Sequence, residues 1–262
     1  MNNKLKASLF LISGITAFLN SCVTTTTGGF SVEPSEEQAL QDYVRLAAGY
    51  YDAGDMAGAR RHINNALAID NRDSGIYNIL ALIYQREGDL DLAESNFRKS
   101  VRLDKGNSRA RNNFAVYLFS NNRFQEAYEQ LEIVTADTAY EGRSRAFENL
   151  GRIALQIPGN DRSTYAFERA LRLDGNMYRS ALELAQIKIS EGNFALASSY
   201  YSRYLTTTSF YNIDHSAQSL WIGIQLERHL NNQRAELNYV VMLQGLFQYS
   251  PEYQLYRNSI DE

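Results

Sequence analysis

A spacing of about 34 residues, at which the same kinds of residue return six times, constrains the fold of this chain more than any other feature. Each unit has a large apolar residue followed by Ala or Gly, a small residue 13 positions after the first, and a second large apolar residue four positions further. The first residues are Leu46, Leu80, Phe114, Leu150, Leu184 and Ile222; the small ones are Ala59, Ala93, Ala127, Ser163, Ala197 and Ala235; the last are Ile63, Phe97, Leu131, Phe167, Tyr201 and Tyr239. Counting back six residues from the first ones places the starts of the units near residues 40, 74, 108, 144, 178 and 216.

The pattern is typical of a pair of antiparallel helices in each unit. Small residues let two helix backbones approach closely, and the large apolar residues fill the space between them. Gly54, Gly88 and Gly192 fall eight residues after the first apolar residue of their units, where the chain turns between the two helices. With Tyr50 and Tyr84, these positions resemble the tetratricopeptide repeat. The resemblance predicts an all-α fold, a right-handed superhelix (α-solenoid) of six tetratricopeptide repeats over residues 40–262, with a C-terminal extension after the sixth.

Composition agrees with this fold and argues against several functional classes. Only three prolines interrupt the chain, so long helices are allowed, and one cysteine with three histidines makes neither an internal disulfide nor a Cys/His zinc site. A formal charge of −4 does not favour nucleic-acid binding. The sequence has no Gly-rich phosphate loop, no paired histidines on a helix and no nucleophile elbow. We therefore expect no enzyme activity, cofactor, metal site or small-molecule substrate.

The first residues have the features of an export signal. Lys4 and Lys6 precede an apolar run over residues 7–19, which is too short to cross a bilayer. The sequence Leu19-Asn20-Ser21-Cys22 that follows resembles a bacterial lipobox. The resemblance implies that residues 1–21 are a lipoprotein signal peptide and that Cys22 is lipidated. Because Val23 rather than Asp follows the cysteine, it also implies anchoring at the periplasmic face of the outer membrane. The alternative is an ordinary signal peptide with an incidental cysteine.

Between this anchor and the first repeat, residues 22–39 lack helical periodicity. They include Thr24 to Thr27 and the pair Gly28-Gly29, a composition typical of flexible linkers. The sequence therefore predicts a lipidated tether that holds the repeats away from the lipid surface.

The stack of repeats is expected to bind its partner along a concave groove. In repeats of this kind the fifth, ninth and twelfth positions usually face the groove, and here many of them are apolar. In the first three repeats they are Val44, Ala48, Tyr51, Leu82, Val116 and Phe119, and in the later ones Leu155, Leu182, Ile189, Leu220 and Ile224. This surface is suited to an apolar partner segment such as an amphipathic helix. Alternatively, superhelical curvature or a neighbouring repeat covers some of these side chains.

A second set of candidate groove residues is cationic. The second position of three consecutive repeats holds Arg109, Arg145 and Arg179. Guanidinium groups one repeat apart could pair with a carboxylate or an acidic peptide. The alternative is that these arginines are solvated at the surface, where exposed ion pairs contribute little.

Three segments depart from the generic repeat and carry a closer resemblance. They are residues 112–118 (NNFAVYL), 147–151 (FENLG) and 219–228 (SLWIGIQLER). They resemble the PilF/PilW-type type IV pilus biogenesis and stability proteins, which also have a lipid anchor and six repeats. The resemblance implies a pilotin, a lipoprotein that binds subunits of the outer-membrane secretin and promotes their localisation and multimerisation. The alternative is a lipoprotein adaptor that recruits periplasmic proteases or cell-wall hydrolases.

The lipid anchor gives the first testable prediction. Cys22→Ala removes the thiol that carries the lipid, so the variant should leave the membrane fraction while keeping its helical content, because the repeats contain none of the lipidated segment. Cell fractionation with labelled fatty acid measures this, and Thr24→Ala serves as the control. Membrane residence of Cys22→Ala, with no label on the wild type, would contradict the anchor.

Overall fold

A computed structural model describes residues 35–260 of the chain, and these residues contain thirteen α-helices and no β-strand. Twelve of the helices form six antiparallel pairs that follow one another along the chain, and the thirteenth packs on the last pair. The helices are α1 (Glu36–Asp52), α2 (Met56–Ile69), α3 (Ser74–Glu87), α4 (Leu90–Leu103), α5 (Ser108–Ser120), α6 (Phe124–Ala136), α7 (Arg143–Ala154), α8 (Ser163–Leu173), α9 (Tyr178–Ser190), α10 (Phe194–Phe210), α11 (Ala217–His229), α12 (Gln233–Phe247) and α13 (Pro251–Asn258). The predicted all-α solenoid of tetratricopeptide repeats is therefore confirmed.

The first helix of each pair begins close to the start that the repeat spacing gave. Helices α3, α5 and α9 begin at Ser74, Ser108 and Tyr178, and α7 and α11 begin within one residue of 144 and 216. Only α1 differs, because it begins at Glu36 and so takes in the last residues of the segment 22–39 assigned to the tether. Two acidic residues in its first turn favour this start by complementing the helix dipole.

The signal peptide (1–21), Cys22 and the tether as far as residue 34 lie outside the described residues. Among the residues described, no helix combines the length and the apolar character needed to span a membrane.

The turn within each repeat depends on a residue that adopts a left-handed backbone conformation. In the second repeat, Gly88 has φ of 85° and ends α3, where its N–H donates to carbonyls of the last helical turn. Asp89 then caps the N-terminus of α4, and its side chain accepts a hydrogen bond from the N–H of Leu92 at 3.1 Å. In the third repeat Asn122, with φ of 59°, takes the position of the glycine. Asparagine tolerates this conformation better than most residues, so the turn is kept without glycine.

The turns between the early repeats share a recurring hydrogen bond. An aspartate follows the second helix of each of the first four repeats, and its Oδ1 accepts a hydrogen bond from the N–H two residues later. These aspartates are Asp70, Asp104, Asp137 and Asp174, with distances of 2.8, 2.8, 3.0 and 2.9 Å. An aspartate that holds its own turn fixes the direction in which the chain enters the next repeat.

Close packing within each pair depends on the small residues of the repeat pattern. Ala59, Ala93, Ala127 and Ala197 have no exposed surface. The repeat also has a small residue directly after its first large apolar one, and in the fourth repeat this is Gly151. A Cβ added to Gly151 would lie 2.7 Å from Cε1 of Phe167, closer than two non-bonded carbon atoms approach. The pattern therefore marks the points where the two helices of a repeat nearly touch.

Ala197 and Ala195 test this packing within one helix. Ala197 has no exposed surface, so Ala197→Leu inserts three carbon atoms into the core. The change should lower the free energy of unfolding by about 1–3 kcal/mol. Ala195 lies on the exposed face of α10, so Ala195→Leu should leave stability nearly unchanged. Thermal unfolding followed by circular dichroism measures both, and equal melting temperatures would show that the position is not a site of close packing.

Candidate functional site: the groove of the first four repeats

A groove of about 1230 Å³ runs along the first helices of repeats one to four. Its walls come from α1, α3 and α5, from the start of α7 and from the turns between repeats. The residues that line it are Ala48, Tyr51, Asp52, Asn78, Ile79, Leu82, Asp104, Gly106, Asn107, Ser108, Arg109, Asn112, Asn113, Asp137, Ala139, Tyr140, Glu141, Gly142, Ser144, Arg145 and Asp174. Most of them are polar or charged, so the groove is more polar than the apolar surface predicted from the sequence.

The structure brings five of the nine predicted partner-binding residues to this groove. Ala48, Tyr51 and Leu82 form its apolar end, on α1 and α3, and Arg109 and Arg145 lie further along it. Two of the three apolar residues, Ala48 and Tyr51, come from the first repeat.

Tyr51 is held in place by the second repeat. Nη1 of Arg86 donates to the Tyr51 carbonyl at 2.8 Å, and the Arg86 guanidinium lies 4.2 Å from the centre of the Tyr51 ring. The ring is therefore partly covered before any partner arrives.

The other four predicted residues are not in the lining of this groove. Val44 is partly buried against α3, where a Cβ added to Gly75 would lie 2.9 Å from its Cγ1. Phe119 packs on Phe124 with ring centres 5.6 Å apart.

Val116 is 38% exposed, and Arg179 lies over the ring of Tyr178 at 5.7 Å. The repeat register places a residue on the inner face of a helix, but the stagger between neighbouring helices decides whether it faces the groove or the next repeat.

In the last repeat the predicted groove residues belong to the core. Leu220 and Ile224 have no exposed surface, and Tyr253 and Tyr256 of α13 are among the side chains that pack on their cluster. Helix α13 takes the place that the first helix of a seventh repeat would occupy. A helix outside the six repeats therefore helps to cover these later positions, and the groove lining contains no residue of α11.

Asparagine pairs join neighbouring first helices, and the sequence analysis did not predict them. Nδ2 of Asn113 donates to Oδ1 of Asn78 at 3.0 Å, and Nδ2 of Asn149 donates to Oδ1 of Asn112 at 3.2 Å. Each pair links the sixth position of one repeat to the fifth position of the repeat before it. The recurrence of asparagine at these two positions is the signal that could have revealed them.

A carboxylate continues this series into the fifth repeat. Oε2 of Glu148 accepts hydrogen bonds from the hydroxyl of Ser180 at 2.8 Å and from its N–H at 3.1 Å. Polar bonds between first helices thus connect the second repeat to the fifth. They fix the spacing of the helices that form the inner surface.

A tyrosine lines the groove together with the two arginines. Tyr140 is in the turn between α6 and α7 and packs partly against the core. Burial raises the pKa of its phenol, and the positive charges of Arg109 and Arg145 act in the opposite direction. All three side chains belong to the lining of the same groove.

Comparison with known proteins supports the repeat assignment and extends it. A family model described as "Tetratricopeptide repeat" matches residues 74–107, which is the second repeat. The type IV pilus assembly protein PilF of Pseudomonas aeruginosa is 31% identical over 237 residues, which cover 90% of this chain and 92% of that protein.

Solved structures agree. The structure of Pseudomonas aeruginosa PilF has a TM-score of 0.79 at 31% identity and covers 86% of this chain and 99% of its own. The structure of PilW, described as a widely conserved type IV pilus biogenesis factor, has a TM-score of 0.67 at 24% identity over 84% of this chain and 98% of that one. At this identity, PilW supports the shared fold.

The family expected from the three sequence segments is confirmed by a relative that matches nearly the whole chain. Tetratricopeptide-repeat proteins of this kind are scaffold or adaptor proteins that bind protein partners, and the groove described above is a surface suited to that role. The chain belongs to the family of type IV pilus biogenesis tetratricopeptide-repeat proteins that includes PilF.

Proposed function

We propose that this protein is an outer-membrane pilotin. It binds subunits of the type IV pilus secretin and promotes their outer-membrane localisation and multimerisation. Identity of 31% to PilF over 90% of the chain is the observation that carries the proposal. The proposal includes anchoring through a lipid on Cys22, at the periplasmic face of the membrane.

The mechanism is escort without catalysis. The lipid on Cys22 localises the protein to the membrane, and the 13 residues between Cys22 and α1 connect the lipid to the repeats. A flexible chain of that length spans about 20 Å on average. We include in the proposal that the protein uses no cofactor and binds neither nucleic acid nor a small-molecule substrate.

The groove supports escort because it joins two kinds of surface. Its apolar end, formed by Ala48, Tyr51 and Leu82, is suited to the apolar side of a secretin segment that would otherwise be exposed to water. Its polar part offers hydrogen-bonding groups to the remainder of that segment. A subunit held in this way is kept from aggregation until it meets other subunits.

Ala48 is the best position for testing the groove, because its side chain is small and lines the apolar end. Ala48→Glu adds a carboxylate and removes no large side chain. A change at Val44 or Tyr51 would remove a side chain that packs on the core. Burying an unpaired charge costs several kcal/mol, so capture of the secretin should fall at least about tenfold. The measurement is a pull-down of the secretin from solubilised membranes, together with an assay for secretin multimers.

Ala57→Glu is the matched control, because Ala57 is exposed on α2 and does not line the groove. It should leave capture and multimers at the wild-type level. Normal capture by folded Ala48→Glu would move the partner site away from this groove. If the wild type retrieves a protease or a cell-wall hydrolase and no secretin, the protein is an adaptor for those enzymes and not a pilotin.

A further inference from the structure

We propose that Arg109, Arg145 and Tyr140 form a carboxylate-binding subsite in the middle of the groove, which takes an isolated Asp or Glu side chain of the bound protein segment. The identity of that protein rests on the proposed function, but the chemistry of the subsite does not. The subsite determines where along the groove the segment stops.

The first observation is that these two arginines are free. Most arginines in the described part of the chain bind a carboxylate, a backbone carbonyl or an aromatic ring, as Arg123 binds Glu94 at 2.7 Å. Arg109 and Arg145 make no such contact with any residue in the range 35–260, although carboxylates line the same groove. Both are exposed. Two cations therefore face the groove with their donors available.

The second observation is that the two arginines line the same groove. They come from α5 and α7 in consecutive repeats, and Tyr140, in the turn between those repeats, lines the groove with them. The hydroxyl of Tyr140 lies against Gly142, since a Cβ added to that glycine would lie 2.5 Å from its oxygen. Two guanidinium groups and one hydroxyl thus offer several hydrogen-bond donors along one stretch of the groove, and donors of this kind match the oxygens of a carboxylate.

The surrounding carboxylates explain why the ligand is a single acidic residue. Asp104, Asp137 and Asp174 line the groove at successive turns between repeats. Asp137 is occupied, because its Oδ2 accepts from the Ser108 hydroxyl at 2.6 Å and its Oδ1 from the N–H of Ala139.

A partner with a run of acidic residues would meet this row of aspartates on either side of the arginines. A partner with one acidic residue between neutral or basic ones would place no further carboxylate near these aspartates. The groove therefore selects against acidic runs as well as for one carboxylate.

The test uses an array of overlapping secretin peptides, each blocked at both ends so that only side chains carry charge. The array also holds random-sequence peptides of the same length, and every bound peptide is repeated with its Asp and Glu replaced by Asn and Gln. It is probed with the purified full chain and with the double variant Arg109→Gln/Arg145→Gln. The control is Arg102→Gln/Arg172→Gln, which removes the same charge from exposed residues of α4 and α8 outside the groove lining.

We expect the wild type and the control to bind peptides that contain one acidic residue, and the groove double variant to bind them at least about tenfold more weakly. Asn or Gln in the peptide should weaken wild-type binding by the same factor and leave binding by the double variant unchanged. Tyr140→Phe should give a smaller loss. Peptides with acidic runs should bind less well than those with a single acidic residue.

The other outcomes show whether the subsite, the proposed function or both are wrong. Equal binding of secretin peptides by the wild type and the groove double variant would overturn the subsite and leave the secretin as partner. Arginine-dependent binding of acidic random peptides, with no secretin peptide bound, would keep the subsite and remove the secretin. Arginine dependence that persists with Asn or Gln peptides would overturn carboxylate recognition, and no binding from either set would overturn both proposals.

Discussion

The close approach of two helices at an alanine or glycine is the constraint on which the rest of this structure depends. Ala93, Ala127 and Ala197 are fully buried where the helices of their repeats meet, and Gly151 leaves space for the ring of Phe167. Since the same approach recurs in successive pairs, the pairs have similar shapes and stack in one direction. The groove is a consequence of this regularity, because stacking equal pairs places their first helices side by side on one surface.

The residues that build the groove also decide what it binds. Hydrogen bonds between first helices, such as Asn113 to Asn78, hold neighbouring repeats at a fixed spacing. The turns bring Tyr140 and a row of aspartates to the groove, so groups that hold the turns also line the proposed binding surface. The groove therefore combines a small apolar end with a polar and charged middle. If the proposed partner binds here, we expect such a surface to set the register of the bound segment as well as its affinity.

Much of this fold could be predicted from the sequence, because the repeat is a local pattern with a physical meaning at each position. The starts of α3, α5 and α9 and the left-handed turn at Gly88 follow from it directly. Contacts between repeats could not be predicted in the same way. Helix α13, which carries no repeat pattern, covers Leu220, and Val44 packs against Gly75 of the next repeat. Those contacts depend on the stagger of neighbouring helices, which spacing along one chain does not contain.

Hydrogen exchange will show whether the groove of the first four repeats holds the partner. Amide exchange of the full chain would be compared with and without purified secretin subunits. If the partner lies in the groove, exchange should slow in α3, α5 and residues 137–142, with little change in α4 and α6 behind them. Protection confined to α4, α6 and α8, or to α12 and α13, would contradict it, because the partner would then lie outside the groove.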